Sequence, residues 1–272
     1  MTATFGTSSD RAAESLLAFW AEAGVDAMLL DEAIDRIEAG RFIPPAPEKK
    51  LVIAPRATPS PTSPAVPDIG HARALAKAAT TLEALSEAIS AYEGCTLRFE
   101  GAARQAVFSR GSPQAPVLIV GEAPGAEEDA RGEPFVGRAG QLLDRMLAAA
   151  GLADRVFITN TVFWRPPGNR TPTPQEQAQC APFVERAIEL VNPRILLFVG
   201  AAAARSMLGR EEGILQLRGR WFEWRSSDHS LEKPALPTLH PAFLLRQPLA
   251  KKKAWSDLLT LRERLDRPLR PA

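Results

Sequence analysis

A short apolar segment that ends in a glycine-containing loop constrains this chain more than any other feature. Residues 117–120 form an apolar run rich in β-branched side chains that stops at Gly121, a pattern typical of a buried parallel strand. The loop that follows carries Glu122, Pro124 and Gly125. Proline fixes its own φ and glycine tolerates unusual backbone angles, so the loop can be both rigid and sharply turned. Because ligands of open α/β sheets sit at the carboxyl ends of strands, this loop is the first candidate for chemistry.

The loop does not match the common nucleotide-binding loops. Its glycines lack the Gly-x-Gly-x-x-Gly spacing, and no Gly-Lys-Ser/Thr follows. A strand, a Gly/Pro loop and a helix also occur in any α/β protein. The loop alone therefore leaves the function open.

The chain after residue 70 alternates between strand and helix patterns. We predict strands at 117–120, 156–159, 195–199 and 235–239, and helices at 71–90, 141–150, 175–191, 201–208 and 251–265. A weak strand at 105–108 and a hairpin within 215–224 are further predictions. This alternation favours a parallel sheet with helices on both faces.

Three polar residues each follow a different predicted strand, one of them after the glycine that ends its strand. They are Glu122, Asn160 and His240. A lone histidine is usually a packed or surface residue, but of the three in this chain, the others being His71 and His229, only His240 follows a strand. Because the ends of parallel strands point the same way, we expect these three groups to converge in one cleft.

Composition divides the chain into three parts. Residues 1–42 have the apolar spacing of short amphipathic helices and predict a helical N-terminal extension. Residues 43–69 are dense in Pro, Ser, Thr and Ala, as in linkers, and residues 70–266 form the α/β domain.

Charge and cysteine content limit the possible surroundings. The net charge is +1, but it is unevenly distributed. Residues 1–40 carry two basic and eight acidic side chains, whereas residues 205–272 carry fourteen basic and eight acidic ones. The basic segment either offers a phosphate-binding face or is an ordinary solvated surface. No run approaches the roughly 20 apolar residues of a membrane span. With only two cysteines and no basic n-region, we expect a reducing bacterial cytoplasm and no membrane association.

Five motifs, in register, resemble the uracil-DNA glycosylase superfamily, and most closely its family 4. They are Gly121-Glu-Ala-Pro-Gly125 with Glu128-Asp129, Pro134-Phe-Val-Gly137, Thr159-Asn160, Arg165-Pro-Pro-Gly-Asn-Arg170, and His240-Pro-Ala-Phe-Leu-Leu-Arg246. The likeness runs from about residue 95 to residue 261 and excludes residues 1–70. It implies a three-layer α/β/α domain with a four-stranded parallel sheet, and hydrolysis of the bond between uracil and deoxyribose in DNA.

The resemblance also implies roles for the residues around the base. Phe135 would stack on uracil, and Asn160 would read its edge, since one amide offers both a donor and an acceptor. His240 would stabilise the negative charge that develops on uracil O2. Glu122 would stabilise the sugar cation, position the attacking water, or both. The other substrate-binding residues would be Gly121, Ala123 and Glu128, of which Glu128 matches a position proposed to hinder thymine.

A second group of matching residues would contact DNA. Leu244 or Leu245 would wedge into the gap left by the flipped nucleotide. Arg165 and Arg246 would lie near phosphates. Asn169 would either contact DNA or shape the proline-rich loop.

The chain departs from family 4 at its iron–sulfur ligands. Where that family has four cysteines, this sequence has Tyr92, Cys95, Trp164 and Cys180. Four thiolates are needed for a cluster of that type, so we expect no iron, no cofactor and two free thiols. We expect Tyr92 and Trp164 to fill the volume instead.

Three interpretations remain open at this point. The first is a monomeric, monofunctional uracil-DNA glycosylase, with no lyase lysine, acting on single- or double-stranded DNA. The second is a glycosylase that also takes hypoxanthine or xanthine. The third is a catalytically silent module that binds damaged DNA and recruits a repair partner through residues 1–42.

Overall fold

The computed structural model describes residues 69–267, so the predicted extension (1–42) and all but the end of the predicted linker (43–69) lie outside the described residues. The helices are α1 Ile69–Ala78, α2 Leu82–Ala91, α3 Ala126–Arg131, α4 Arg138–Ala149, α5 Pro174–Val191, α6 Ala201–Leu208, α7 Ile214–Leu217, α8 Pro241–Arg246 and α9 Lys251–Asp266. The strands are β1 Arg110–Gly111, β2 Val117–Gly121, β3 Val156–Asn160, β4 Ile195–Val199, β5 Phe222–Arg225 and β6 Glu232–Thr238.

The strands form one six-stranded sheet in the order β1-β3-β2-β4-β6-β5. The four central strands are parallel, as predicted, and the α/β fold class is confirmed. Two antiparallel edge strands, β1 and β5, extend the four parallel strands to a sheet of six. A two-residue strand such as β1 is too short to leave a periodic signal in the sequence.

Helices cover both faces of the sheet, which explains the continuous apolar runs of the central strands. Leu118 and Val120 pack in a core cluster that includes Phe183 of α5. Their neighbours Val117 and Ile119 point the other way, into a second cluster that contains residues of α4 and α9. The alternation of side chains along β2 therefore divides the core into two layers.

Several local predictions need correction. The predicted helix 71–90 is two helices, because the Thr81 side chain accepts a hydrogen bond from the Ala84 N–H and starts α2. The predicted strand at 105–108 is irregular, and the strand forms at Arg110–Gly111 instead. The segment 215–224 does not form a hairpin by itself: it holds most of α7 and part of β5, which pairs with β6.

The parallel register brings the strand ends to one edge of the sheet. Gly121 pairs with Asn160, and Val199 pairs with Thr238.

None of the helices between residues 69 and 267 is both long and apolar enough to cross a membrane.

Candidate active site

A cleft of about 670 Å³ opens at the carboxyl ends of the parallel strands. It brings together most of the residues that the sequence predicted, namely Glu122, Ala123, Glu128, Phe135, Asn169, His240 and Arg246. Asn160, Gly121, Arg165, Leu244 and Leu245 are not among the residues that line it. The predicted convergence therefore holds for Glu122 and His240 in the lining, and Asn160 is buried next to the lining residue Phe135.

Asn160 is buried at the end of β3, beside Gly121. Its side chain is 1% exposed, and neither its Oδ1 nor its Nδ2 has a hydrogen-bond partner among the described residues. A Cβ on Gly121 would lie 2.4 Å from Asn160 Oδ1 and 2.4 Å from Phe135 Cζ. Glycine at 121 thus lets the amide and the aromatic ring approach the same point.

Phe135 has an unusual backbone conformation. Its φ is 56°, in the left-handed region that residues with a Cβ rarely adopt. Its ring centroid lies 5.7 Å from that of His240, with 31° between the ring planes. The ring therefore lies near both the Asn160 amide and the His240 imidazole.

The Glu128 carboxylate accepts three backbone hydrogen bonds. Oε2 accepts from the Gly125 N–H at 3.1 Å, and Oε1 accepts from Val136 and Gly137 at 3.1 and 2.9 Å. These bonds join the start of α3 to the loop that carries Phe135. Glu128 also lines the cleft. Its role in hindering thymine stays a prediction.

The contacts of His240 determine which of its ring nitrogens can donate a hydrogen bond. Its Nδ1 accepts the Ala242 N–H at 3.2 Å, which places the proton of a neutral ring on Nε2. Burial lowers the pKa of His240 from 6.5 to about 4; the Arg246 cation also lowers it, and Glu128 opposes the shift. The imidazole therefore donates through Nε2 at neutral pH without carrying a charge.

The backbone of Glu122 is anchored by Thr161, a residue that the sequence analysis missed. The Thr161 hydroxyl donates to the Glu122 carbonyl at 2.6 Å, and its N–H donates to the Gly121 carbonyl at 3.0 Å. Gln177 donates to the same hydroxyl at 3.3 Å. The only sequence signal was the position of Thr161 directly after Asn160.

The proline-rich loop is organised by its own polar side chains. Arg165 Nε donates to Asn169 Oδ1 at 2.8 Å, and Asn169 has a φ of 55°. Asn169 therefore shapes the loop and also lines the cleft. Arg170, not selected from the sequence, lines the cleft too, but it pairs with Glu176 at 2.6 Å and Glu100 at 3.0 Å.

The two leucines of α8 lie in different environments. Leu244 is 0% exposed and packs with Leu142, Leu239 and Ala254. Leu245 is 36% exposed. Leu244 therefore belongs to the core, and of the two leucines offered as a wedge Leu245 is the more accessible.

The four residues that the resemblance places at iron–sulfur ligand positions do not fit a four-thiolate cluster. Cys95 and Cys180 have their Sγ atoms 3.9 Å apart, and Tyr92 and Trp164 are also buried. The Tyr92 ring packs against Phe183 at 5.1 Å between centroids. No group of three or more His, Cys, Asp or Glu side chains within residues 69–267 could hold a metal ion. Two sulfurs stand where such a cluster needs four ligands.

Comparison with known proteins assigns the fold to a family. Residues 108–259, more than half of the chain, match the model of the uracil DNA glycosylase superfamily. The chain belongs to this superfamily.

Similar proteins include type-4 uracil-DNA glycosylases. That of Thermotoga maritima is 39% identical over 167 residues, covering 61% of this chain and 83% of the relative. That of Sulfurisphaera tokodaii is 36% identical over 190 residues, covering 67% and 84%. That of Pyrobaculum aerophilum is 37% identical over 182 residues, covering 65% and 91%. These relatives confirm the predicted resemblance to family 4.

Proposed function

We propose that this superfamily member is a monofunctional uracil-DNA glycosylase, which flips uracil out of DNA, hydrolyses its N-glycosidic bond and leaves an abasic site. The similar type-4 enzymes support this activity. The observation that carries the proposal is the Asn160 amide, buried beside Phe135 with both of its polar ends unpaired among residues 69–267. Burying such a group without a partner is costly unless a ligand satisfies it.

Recognition of the base follows from Asn160 and Phe135. The edge of uracil presents a donor, N3–H, beside the acceptor O4, and one amide can bind both. The Phe135 ring supplies a flat apolar face for stacking. Because a base within a duplex cannot reach a cleft at the sheet edge, the nucleotide has to leave the helix.

Bond cleavage is assigned to His240 and Glu122. As the glycosidic bond breaks, negative charge develops on uracil O2 and positive charge on the sugar. The neutral His240 Nε2–H would donate to O2, and the Glu122 carboxylate would stabilise the sugar cation and orient water. None of the described residues that line the cleft is a lysine, which favours water over an amine as the nucleophile.

The DNA backbone would be held around the cleft mouth. Arg246 lines the cleft, and Arg165 lies on the loop that also carries Asn169. Basic side chains at these positions suit phosphate contacts that are independent of sequence. The proposed partner is uracil-containing DNA, and the proposed binding form is a monomer.

The direct test is cleavage of fluorescent oligonucleotides that bear uracil, hypoxanthine or xanthine, single- and double-stranded, followed by alkali to reveal abasic sites. We expect strand breakage at uracil. Asn160→Ala and His240→Ala should each lower kcat/KM by about a hundredfold, the usual scale for losing a group that acts on the transition state. His229→Ala, which removes an exposed histidine that is not among the residues lining the cleft, serves as the control.

The other outcomes separate the remaining interpretations. Breakage at several bases would make the enzyme a broader glycosylase that relies on stacking rather than edge recognition. No breakage with intact DNA binding would instead identify a silent damage-binding module.

A further inference from the structure

We propose that Arg110, on the short edge strand β1, is a positioning residue that holds Phe135 in its left-handed conformation and so prepares the stacking surface for the base. The use of Phe135 as a stacking surface rests on the proposed function. Arg110 itself is not among the described residues that line the cleft. It therefore acts through Phe135 rather than on the base.

Arg110 donates hydrogen bonds to two backbone carbonyls in the turn at residues 134–137, which carries Phe135. Its Nε donates to the Pro134 carbonyl at 2.7 Å, and its Nη2 donates to the Phe135 carbonyl at 3.1 Å. Nη2 also pairs with Asp144 Oδ1 of α4 at 2.7 Å, which orients the guanidinium. A planar guanidinium can make these bonds at once because its donors form a rigid fork.

The same turn is held from its other side by N–H groups. Glu128 accepts from Val136 and Gly137, the two residues after Phe135. The carbonyls of residues 134 and 135 and the N–H groups of residues 136 and 137 are thus all bound. Such strain persists only where the surroundings determine the conformation.

Gly140 of α4 leaves room for this arrangement. A Cβ on Gly140 would lie 1.7 Å from the Phe135 carbonyl oxygen, so glycine is required there. The Phe135 carbonyl consequently lies close to α4, where Arg110 reaches it. Arg110 is placed for this contact by the pairing of β1 with β3, in which it lies opposite Ile158.

Arg110→Met tests the proposal, since methionine keeps most of the aliphatic stem and removes every donor. Glu128 is a poorer test because it lines the cleft and can act on the base directly. Arg155→Met is the matched control: Arg155 also pairs with a carboxylate, Asp266 at 2.8 Å, and its loss changes the net charge equally. Each change is made in the wild type and in Phe135→Ala, and uracil excision is measured.

We expect Arg110→Met to lower kcat/KM by about tenfold in the wild type. A loss of this size matches the cost of keeping one residue in a strained backbone conformation, which Arg110 would no longer stabilise. In Phe135→Ala the same change should cost less than about twofold, because no ring remains to be positioned. Arg155→Met should have little effect in either background. An equal loss from Arg110→Met in both backgrounds would overturn the proposal.

Hydrogen exchange gives a readout that does not depend on activity. We expect the amides of residues 136 and 137 to exchange faster in Arg110→Met, while those of β2 and β4 stay unchanged. Unchanged exchange at 136 and 137 would overturn the proposal whatever the enzyme does. If the wild type does not excise uracil, the proposed function fails by itself, and hydrogen exchange still decides whether Arg110 holds the turn.

Discussion

Asn160 and His240 show how burial can prepare a side chain for binding. Each lies at the end of a parallel strand, so the backbone of the sheet fixes where its side chain begins. Asn160 keeps both amide ends unpaired among the described residues, whereas His240 uses Nδ1 to cap α8 and leaves Nε2 as a donor. In the proposed function neither side chain would have to change its charge on binding a base, as expected of a preorganised site.

The pKa of His240 predicts a loss of stability in acid. Burial lowers this pKa from 6.5 in the unfolded chain to about 4 in the folded protein. As the pH falls below 6.5, the unfolded state takes up a proton that the folded state binds only near pH 4, so the free energy of unfolding decreases. With about 1.4 kcal/mol per pKa unit, the loss attributable to His240 is roughly 3 kcal/mol.

Urea unfolding between neutral pH and about pH 4 measures this loss, with His240→Asn as the control. Asparagine can still accept the Ala242 N–H but does not titrate. We expect the difference in unfolding free energy between the two proteins to shrink as the pH falls. Parallel curves would contradict the prediction.

At the scale of elements, α8 divides its side chains between core and solvent. The helix begins at Pro241, with His240 as its cap, and is only six residues long. Its neighbouring residues Leu244 and Leu245 point in directions about 100° apart. Leu244 completes the packing of α8 on α4 and α9, and Leu245 remains half exposed next to Arg246. The same short helix therefore anchors itself and offers an apolar side chain beside the cleft.

Leu245→Ala should lower uracil excision from double-stranded DNA by about tenfold, because a wedge offsets part of the few kcal/mol that unstacking costs. Excision from single-stranded DNA should hardly change, since little stacking has to be broken there. Stability should also be nearly unaffected at this exposed position. Equal losses on both substrates would exclude the wedge role.

Leu244→Ala is the matched comparison on the same helix. It removes a fully buried side chain, and we expect it to lower the free energy of unfolding by about 2–5 kcal/mol. Thermal and urea unfolding distinguish this structural effect from the substrate effect expected for Leu245.

At the scale of the whole domain, aromatic packing joins segments that are far apart in the sequence. Tyr92, Phe163, Trp164 and Phe183 belong to one core cluster together with Cys95 and Cys180. The ring centroids of Phe163 lie 6.2 Å from Trp164 and 6.3 Å from Phe183. Burial of large rings can stabilise these loop connections without a metal.

The purified protein should be colourless and free of stoichiometric iron. Cys180 donates a hydrogen bond to Cys95, which lowers the pKa of Cys95, while burial raises the pKa of Cys180. Their sulfurs are 3.9 Å apart, well beyond the roughly 2.05 Å of a disulfide. We expect thiol titration to count two thiols after denaturation and almost none before, because both are buried. Visible absorbance with bound iron would contradict this.

The sequence by itself determined the features that depend on local signals. The apolar runs before Gly121 and Asn160 predicted buried parallel strands, and the strands emerged within one or two residues of the prediction. The positions of Glu122, Asn160 and His240 after separate strands predicted one shared sheet edge. These inferences succeed because strand patterning and chain direction are readable over a few residues.

Only the tertiary structure decided the features that depend on distant contacts. The edge strand β1 exists because Arg110 pairs with Ile158, 48 positions later in the numbering. The contacts of Arg110 with the Phe135 turn, and the burial of Leu244 beside exposed Leu245, likewise depend on how separate elements pack. No local pattern encodes such contacts, because a side chain's partners are set by the whole fold rather than by its neighbours in sequence.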